Sequence, residues 1–309
     1  MIQKPSHILV PLDGSRLAEA ALPAAFGLAE RLGVPVLLLH VVERKPPTQV
    51  HGEPHLGTAG EAEEYLEAVA ERGREAGVEV EVHTHSDTVV SDVSGAIAEH
   101  AKEFDAELIV LCAHGRGGVR DLLVGSIAQQ TLRRGTASVL LIRPGPDGSA
   151  PPFDCRVIAV ALDPRRHGDV ALRGATRLAK VYGSRLHLVS VVPTPSALPP
   201  SRRAAGTLLP RATHALLEME SRDLQETLEE RAERLDAAGL PSTVEVRRGN
   251  PVAEIAASLR EHPADLLVVA THGRAGIGGW MAGSFAQRIA LQAEVPILLI
   301  RVPENAELE

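Results

Sequence analysis

Aromatic residues make up only 2% of this 309-residue chain, and cysteine occurs twice. So few rings leave no stacking platform on which to hold a single nucleic-acid strand. A net charge of −8 offers no basic face for general nucleic-acid binding. Cys112 and Cys155 do not make a disulfide framework, and their scarcity fits a reducing compartment. No apolar run reaches the ~18 residues of a membrane span, and no charged-then-apolar signal opens the chain. These absences point to a cytoplasmic protein with neither a nucleic-acid nor a membrane partner.

What the chain does contain, it contains twice. His114-Gly115-Arg116-Gly117-Gly118 is followed by Gly125-Ser126, and His272-Gly273-Arg274-Ala275-Gly276 is followed at the same spacing by Gly283-Ser284. An apolar run precedes each copy, Leu108–Ala113 and Leu266–Ala270. A helix-like segment and a second apolar run follow each, ending at Arg143 and Arg301. Upstream, Val10–Asp13 matches Val160–Asp163, and Leu37–Val42 matches His187–Val192. A repeat of this length is a duplicated domain, not a solenoid unit. The halves are read as 1–146 and 153–309, joined by a Pro- and Gly-rich linker at 147–152. Each is long enough for its own core. The second half has the longer insertion after its second strand, including Pro193–Pro200, which reads as a surface loop.

Period and punctuation set the fold class. His7–Leu12 is apolar and ends at an Asp-Gly turn. Ser15–Leu32 has helical spacing and stops at Gly33, a natural C-cap. Pro35–Val42 reads as a strand buried on both faces. Glu61–Ala76, Ser91–Lys102 and Ser126–Arg134 read as helices. Val78–His83, Leu108–Ala113 and Ala137–Arg143 read as strands. Alternating strands and helices imply an α/β fold: two Rossmann-like, open, mostly parallel five-stranded sheets with helices on both faces. Ligands of such sheets sit beyond the strand C-termini, where the strand order reverses. Asp13 and the Gly115 loop both follow strand ends. They share one crevice if the first and fourth strands are neighbours.

The glycine loop supplies the chemistry. Gly115, Gly117 and Gly118 allow tight turns and close backbone approach to a ligand. Gly125-Ser126 opens a helix whose free N–H groups attract an anion. Together they can cradle phosphate without a lysine, and no GxxxxGK[ST] occurs. A structural reading stands beside this one. Ser126 with Gln129, and Ser284 with Gln287, fit capping boxes that need no ligand.

With these residues the chain resembles a tandem universal stress protein. Nucleotide-binding members of that family carry an Asp after the first strand. Their signature is Gly, two residues, Gly, nine residues, Gly, then Ser or Thr. Gly115 with Gly125-Ser126 follows it, as does Gly273 with Gly283-Ser284. The first signature glycine is replaced by Cys112 in one half and Ala270 in the other, and Asp163-Pro164-Arg165 departs from the pattern that Asp13-Gly14-Ser15 keeps.

The resemblance implies ATP or another adenine nucleotide, with or without Mg, as ligand. It implies Asp13 as acceptor for the adenine amino group and the Val41 backbone at the adenine edge. Cys112 and Gly115 would lie along ribose and phosphates, and Gly125, Ser126 and the Ile127 backbone would hold the phosphates. In the second half the same roles fall to Asp163, Val191, Ala270, Gly273, Gly283, Ser284 and Phe285. Arg116 and Arg274 either meet phosphate charge or are solvated loop residues. The resemblance also implies that the two domains pair through their last strands as a pseudo-dimer. A homodimer remains open.

Other candidates compete with plainer explanations. His83 and His85 lie two apart and face one side of a strand, and His51 and His55 precede them. Two histidines do not make a metal site, so surface histidines are favoured and no metal is expected. Cys112 is either a thiol activated by a helix N-terminus or a buried small residue ending a strand. Trp280 sits in the second glycine loop, and Glu220–Arg234 reads as a solvated helix face. Three classes remain: a nucleotide-binding stress-response regulator, a ligand-free interaction module of the same fold, and a slow ATPase. No general base, metal carboxylate pair or nucleophilic triad is visible, so hydrolysis would be weak at most.

Overall fold

The computed structural model describes residues 6–43, 48–90, 92–113, 128, 130, 131, 134–145, 148, 149, 153–163, 168–194, 208–271 and 282–302. Packing divides it into two units: Met1–Asp154 with Thr271–Glu309, and Cys155–Ala270.

In the first unit β1 (Ile8–Pro11) leads to the helices α1 (Arg16–Glu19) and α2 (Leu22–Leu32), then to β2 (Val36–Glu43). A small hairpin follows, β3 (Gln49–Val50) and β4 (Glu53–Pro54). Then come α3 (Ala59–Glu75), β5 (Val80–Val90), α4 (Val93–Glu103), β6 (Leu108–Cys112) and β7 (Ser138–Ile142). The sheet order is β7-β6-β1-β2-β5, with every pairing parallel. The central strands are mostly apolar because helices cover both of their faces. Ile8, Leu9, Val10, Val36, Leu38, Leu39, Ile109 and Val110 are fully buried.

The second unit repeats the plan with β8 (Val157–Ala161), α5 (Gly168–Tyr182), β9 (Arg185–Val192), α6 (Pro210–Ala237), β10 (Ser242–Arg248), α7 (Pro251–Glu261) and β11 (Leu266–Thr271). Its order is β10-β9-β8-β11, again parallel. The remaining helix α8 (Ala282–Gln292) and strand β12 (Ile297–Arg301) belong to the first unit. There β12 runs antiparallel to β7, with Ile297 opposite Leu141 and Leu299 opposite Val139. The fold is therefore α/β, with mostly parallel sheets.

Two elements differ from the sequence expectation for physical reasons. The helix expected over Ser15–Leu32 is two helices, α1 and α2. Pro23 lacks the N–H that would continue the first helix, and it sits in the first turn of the second, where no N–H is needed. The charge-rich helix at Glu220–Arg234 extends to 28 residues as α6. Its Leu217, Leu224, Leu228 and Leu235 form a buried stripe beneath the solvated face. Among the described residues no helix is long and apolar enough to cross a membrane.

Candidate functional site

In the first unit β1 has β2 on one side and β6 on the other. The order in which strands are added reverses there, from one crossover to the next, and a crevice opens past the strand C-termini. The same reversal lies between β8 and β11 in the second unit. Asp13 follows β1 and Cys112 ends β6, so the two residues face one crevice. Burial, and then the nearby Asp13 carboxylate, push the Cys112 thiol up to about 12. Both effects oppose a thiolate, so the structure favours the buried-small-residue reading of Cys112 over an activated thiol.

The turn after β1 is built by its own sequence. Asp13 Oδ1 accepts from the Ser15 backbone N–H at 3.0 Å and from the Ser15 hydroxyl at 2.7 Å. Ser15 Oγ in turn caps α1 by accepting from the Ala18 N–H at 3.2 Å. One oxygen of Asp13 is thus committed to the turn. The other, Oδ2, lies 3.9 Å from His51 Nε2. Gly14 between them has φ +87°, and a Cβ there would stand 2.9 Å from Leu56 Cγ. Residues 49–56 fold against this turn. Glu53 Oε2 accepts from the Arg16 N–H at 2.6 Å, and Leu56 fills the space that Gly14 leaves. Sequence reasoning missed this hairpin, whose Gly52 is flanked by polar residues with no alternation to mark a strand.

It also missed a device at the foot of the crevice. His40 in β2 is buried, and its Nδ1 stands 2.8 Å from the Leu12 carbonyl. The carbonyl can only accept, so Nδ1 carries the proton. Nε2 is then a buried acceptor with no hydrogen-bond partner among the described residues. Burial lowers its pKa, partly offset by the hydrogen bond to Leu12. At the corresponding place in β9, Ser190 Oγ donates to the Leu162 carbonyl at 2.7 Å. Both units therefore satisfy the carbonyl just past their first strand with a side chain from the second. A polar residue interrupting an otherwise apolar strand was the available signal.

The other expected residues fall as follows. Val41 is buried in β2 beside β5, and Val191 is buried in β9 beside β10. Asp163 follows β8 and is partly exposed. Ala270 lies near the end of β11. Gly283, Ser284 and Phe285 lie in the first turn of α8, where backbone N–H groups have no intrahelical acceptor, and the Phe285 side chain is buried. Gly115, Gly125, Ser126, Ile127, Gly273, Arg116, Arg274 and Trp280 lie outside the described residues.

A doubly wound α/β protein with an acidic turn and a helix-opening Gly-Ser past its strand ends is the class that this fold and crevice define. A family model described as the universal stress protein family matches residues 5–143 and again 155–301. The chain belongs to the universal stress protein family, with two copies of the domain.

Among relatives, universal stress protein Rv2005c of Mycobacterium tuberculosis is 26% identical, covering 97% of this chain and 98% of its own length. A universal stress protein of Mycolicibacterium smegmatis is 31% identical over 140 residues, and the match spans only 45% of its length. A crystal structure of a universal stress protein from Archaeoglobus fulgidus covers 97% of this chain with a TM-score of 0.67 and 18% identity, a likeness of fold. Another universal stress protein from that organism was solved in complex with dAMP; it is 26% identical over 46% of this chain, with a TM-score of 0.33, and covers 98% of its own length.

Proposed function

We propose that the chain is an adenine-nucleotide-binding regulatory protein of the stress response, with ATP as its ligand. The observation that carries this reading is the crevice between the ends of β1 and β6, which brings the Asp13 carboxylate and Cys112 together. In the proposed complex Asp13 Oδ2 accepts from the adenine amino group while Oδ1 keeps the turn in place. The Val41 backbone lies at the adenine edge, and Cys112 and Gly115 run along ribose and phosphates. Gly125, Ser126 and Ile127 offer backbone N–H groups to the phosphates. Asp163, Val191, Ala270, Gly273, Gly283, Ser284 and Phe285 take the same roles in the second repeat. Repeats 1–146 and 153–309 are proposed to pair through their last strands, a reading supported by the β7–β12 register.

The test is nucleotide release. Freshly purified chain, denatured and analysed by chromatography, should yield adenine nucleotide at one or two equivalents. Asp13→Ala should lower the yield. Ser126→Ala removes one hydroxyl donor, worth ~1–3 kcal/mol to a charged acceptor, and should weaken ATP binding roughly tenfold. If Gly125→Val with Gly283→Val leaves the nucleotide content of folded protein unchanged, the phosphate cradle does not exist.

A further inference from the structure

We propose a metal site away from the crevice, in which His83, His85 and His100 bind one divalent transition ion such as zinc between the edge strand β5 and helix α4. The sequence places His83 and His85 on one face of β5, and the fold adds His100 from α4. Ligand nitrogens of all three lie within 4.8 Å of one another. His100 Nε2 is 2.9 Å from His85 Nδ1. The His83 ring stands edge-on to His100 with centroids 4.6 Å apart. Three nitrogens on one tetrahedral zinc, at ~2.0–2.1 Å each, lie roughly 3.3 Å apart, so small ring rotations complete the set.

The second layer is also in place. Glu103 Oε2 lies 3.0 Å from His100 Nδ1. A carboxylate can only accept, so Nδ1 is the protonated nitrogen and Nε2 presents its lone pair to the cluster. With His100 protonated at Nδ1, His85 Nδ1–H donates to His100 Nε2; when a cation binds between them, that proton moves to His85 Nε2 and both rings stay neutral. His83 and His85 are only partly buried, and β5 is the edge of its sheet, so an ion has access and a fourth position stays open to water.

The second unit shows what this place otherwise requires. Val41 pairs with His85, and Val191 pairs with Arg247, so Arg247 stands where His85 does. The helices α4 and α7 have equal length and end at Glu103 and Glu261. Arg247 bonds Glu245 at 2.6 Å, Glu254 at 3.0 Å and Glu261 at 2.9 Å. Glu245 also accepts from Ser258 at 2.5 Å. His187, Glu245 and His262 also come together, but the guanidinium already supplies their cation. In the first unit the corresponding positions hold imidazoles, which among the described residues contact one another and Glu103. One unit carries a covalently attached cation at this place, and the other is built to recruit one.

Isothermal titration of the chelator-stripped full chain with Zn²⁺ tests the proposal, together with the absorption spectrum of added Co²⁺. The expected result is one tight equivalent and a tetrahedral Co²⁺ spectrum. His85→Ala, at a partly exposed position that should not disturb folding, should abolish both. Glu103→Ala, a positioning change on an exposed side chain, should weaken Zn²⁺ roughly 10–100-fold with the spectrum retained. Glu245→Gln should leave the first equivalent unaltered. Absence of a tight equivalent in the wild type, or uptake unchanged in folded His85→Ala and Glu103→Ala, would overturn the site.

Discussion

Gly14 holds φ +87° with Leu56 packed where a side chain would be, so its two constraints can be separated by mutation. Gly14→Ala should cost about 1–3 kcal/mol, from the left-handed backbone and the contact with Leu56. Leu56→Ala in the same chain relieves only the contact, so urea unfolding should recover part of the loss. Full recovery would mean that the backbone conformation costs nothing, against the structure. Cys112 gives a second residue-scale prediction. With its thiol pushed up to about 12 and both cysteines buried, native protein should react negligibly with a thiol reagent at neutral pH. Both thiols should appear on denaturation. Rapid titration of one thiol in the native state would contradict the burial. Much of this was legible: Asp13-Gly14-Ser15 spells a turn that caps a helix. The partner of Gly14 was not, because Leu56 comes from a loop distant in sequence, and only tertiary packing brings it back.

Strands and helices carry the titrating groups. His40 in β2, His100 in α4 and His187 in β9 all have lowered pKa values, chiefly because burial disfavours the charged ring. A histidine whose folded pKa is lowered binds fewer protons folded than unfolded. Stability from it is therefore complete above the unfolded value of ~6.5 and falls as pH drops below it. Denaturant unfolding should show stability decreasing from pH 7.5 to pH 5. His40 is the sharpest case, facing the Leu12 carbonyl, with Asp13 and Glu43 partly offsetting the burial and His55 reinforcing it. His40→Ser copies the Ser190 arrangement of the second unit and removes the titrating ring. It should flatten the pH dependence while keeping the carbonyl bonded. An unchanged slope would assign the effect to the other histidines. At this scale period and capping located most elements within a few residues. The exceptions had local causes: Pro23 divides one helix, and β5 runs to Val90 through Thr84 and Ser86, which do not alternate cleanly with apolar neighbours. His100 could not be joined to His83 and His85 from sequence, since helix and strand meet only in the fold.

Across the whole chain the repeat was the most readable feature, because each motif returns with the same neighbours. The glycine loops that carry the phosphate argument lie largely outside the described residues, so the crevice rests on its acidic turn and strand ends. Sequence placed the last strand in the second repeat, and the resemblance paired it with the last strand of the first. By packing, β12 belongs with the first unit, where its Ile297, Leu298 and Leu299 oppose Leu141, Leu140 and Val139. All six are buried. Without β12, β7 would present an unpaired, largely apolar edge, which is a template for another chain. A chain ending at Glu294 keeps α8 and loses β12 together with Val302, whose N–H bonds the Thr271 carbonyl at 3.0 Å. It should remain folded by circular dichroism yet elute as higher oligomers or aggregate, with the effect growing with concentration. Placing a lysine at Val139, which faces Leu299, should make the truncated chain more soluble by charging the exposed edge, while costing stability in the full-length chain by burying a charge. A truncated chain that stays monomeric at high concentration would show that β12 does not guard the edge of β7.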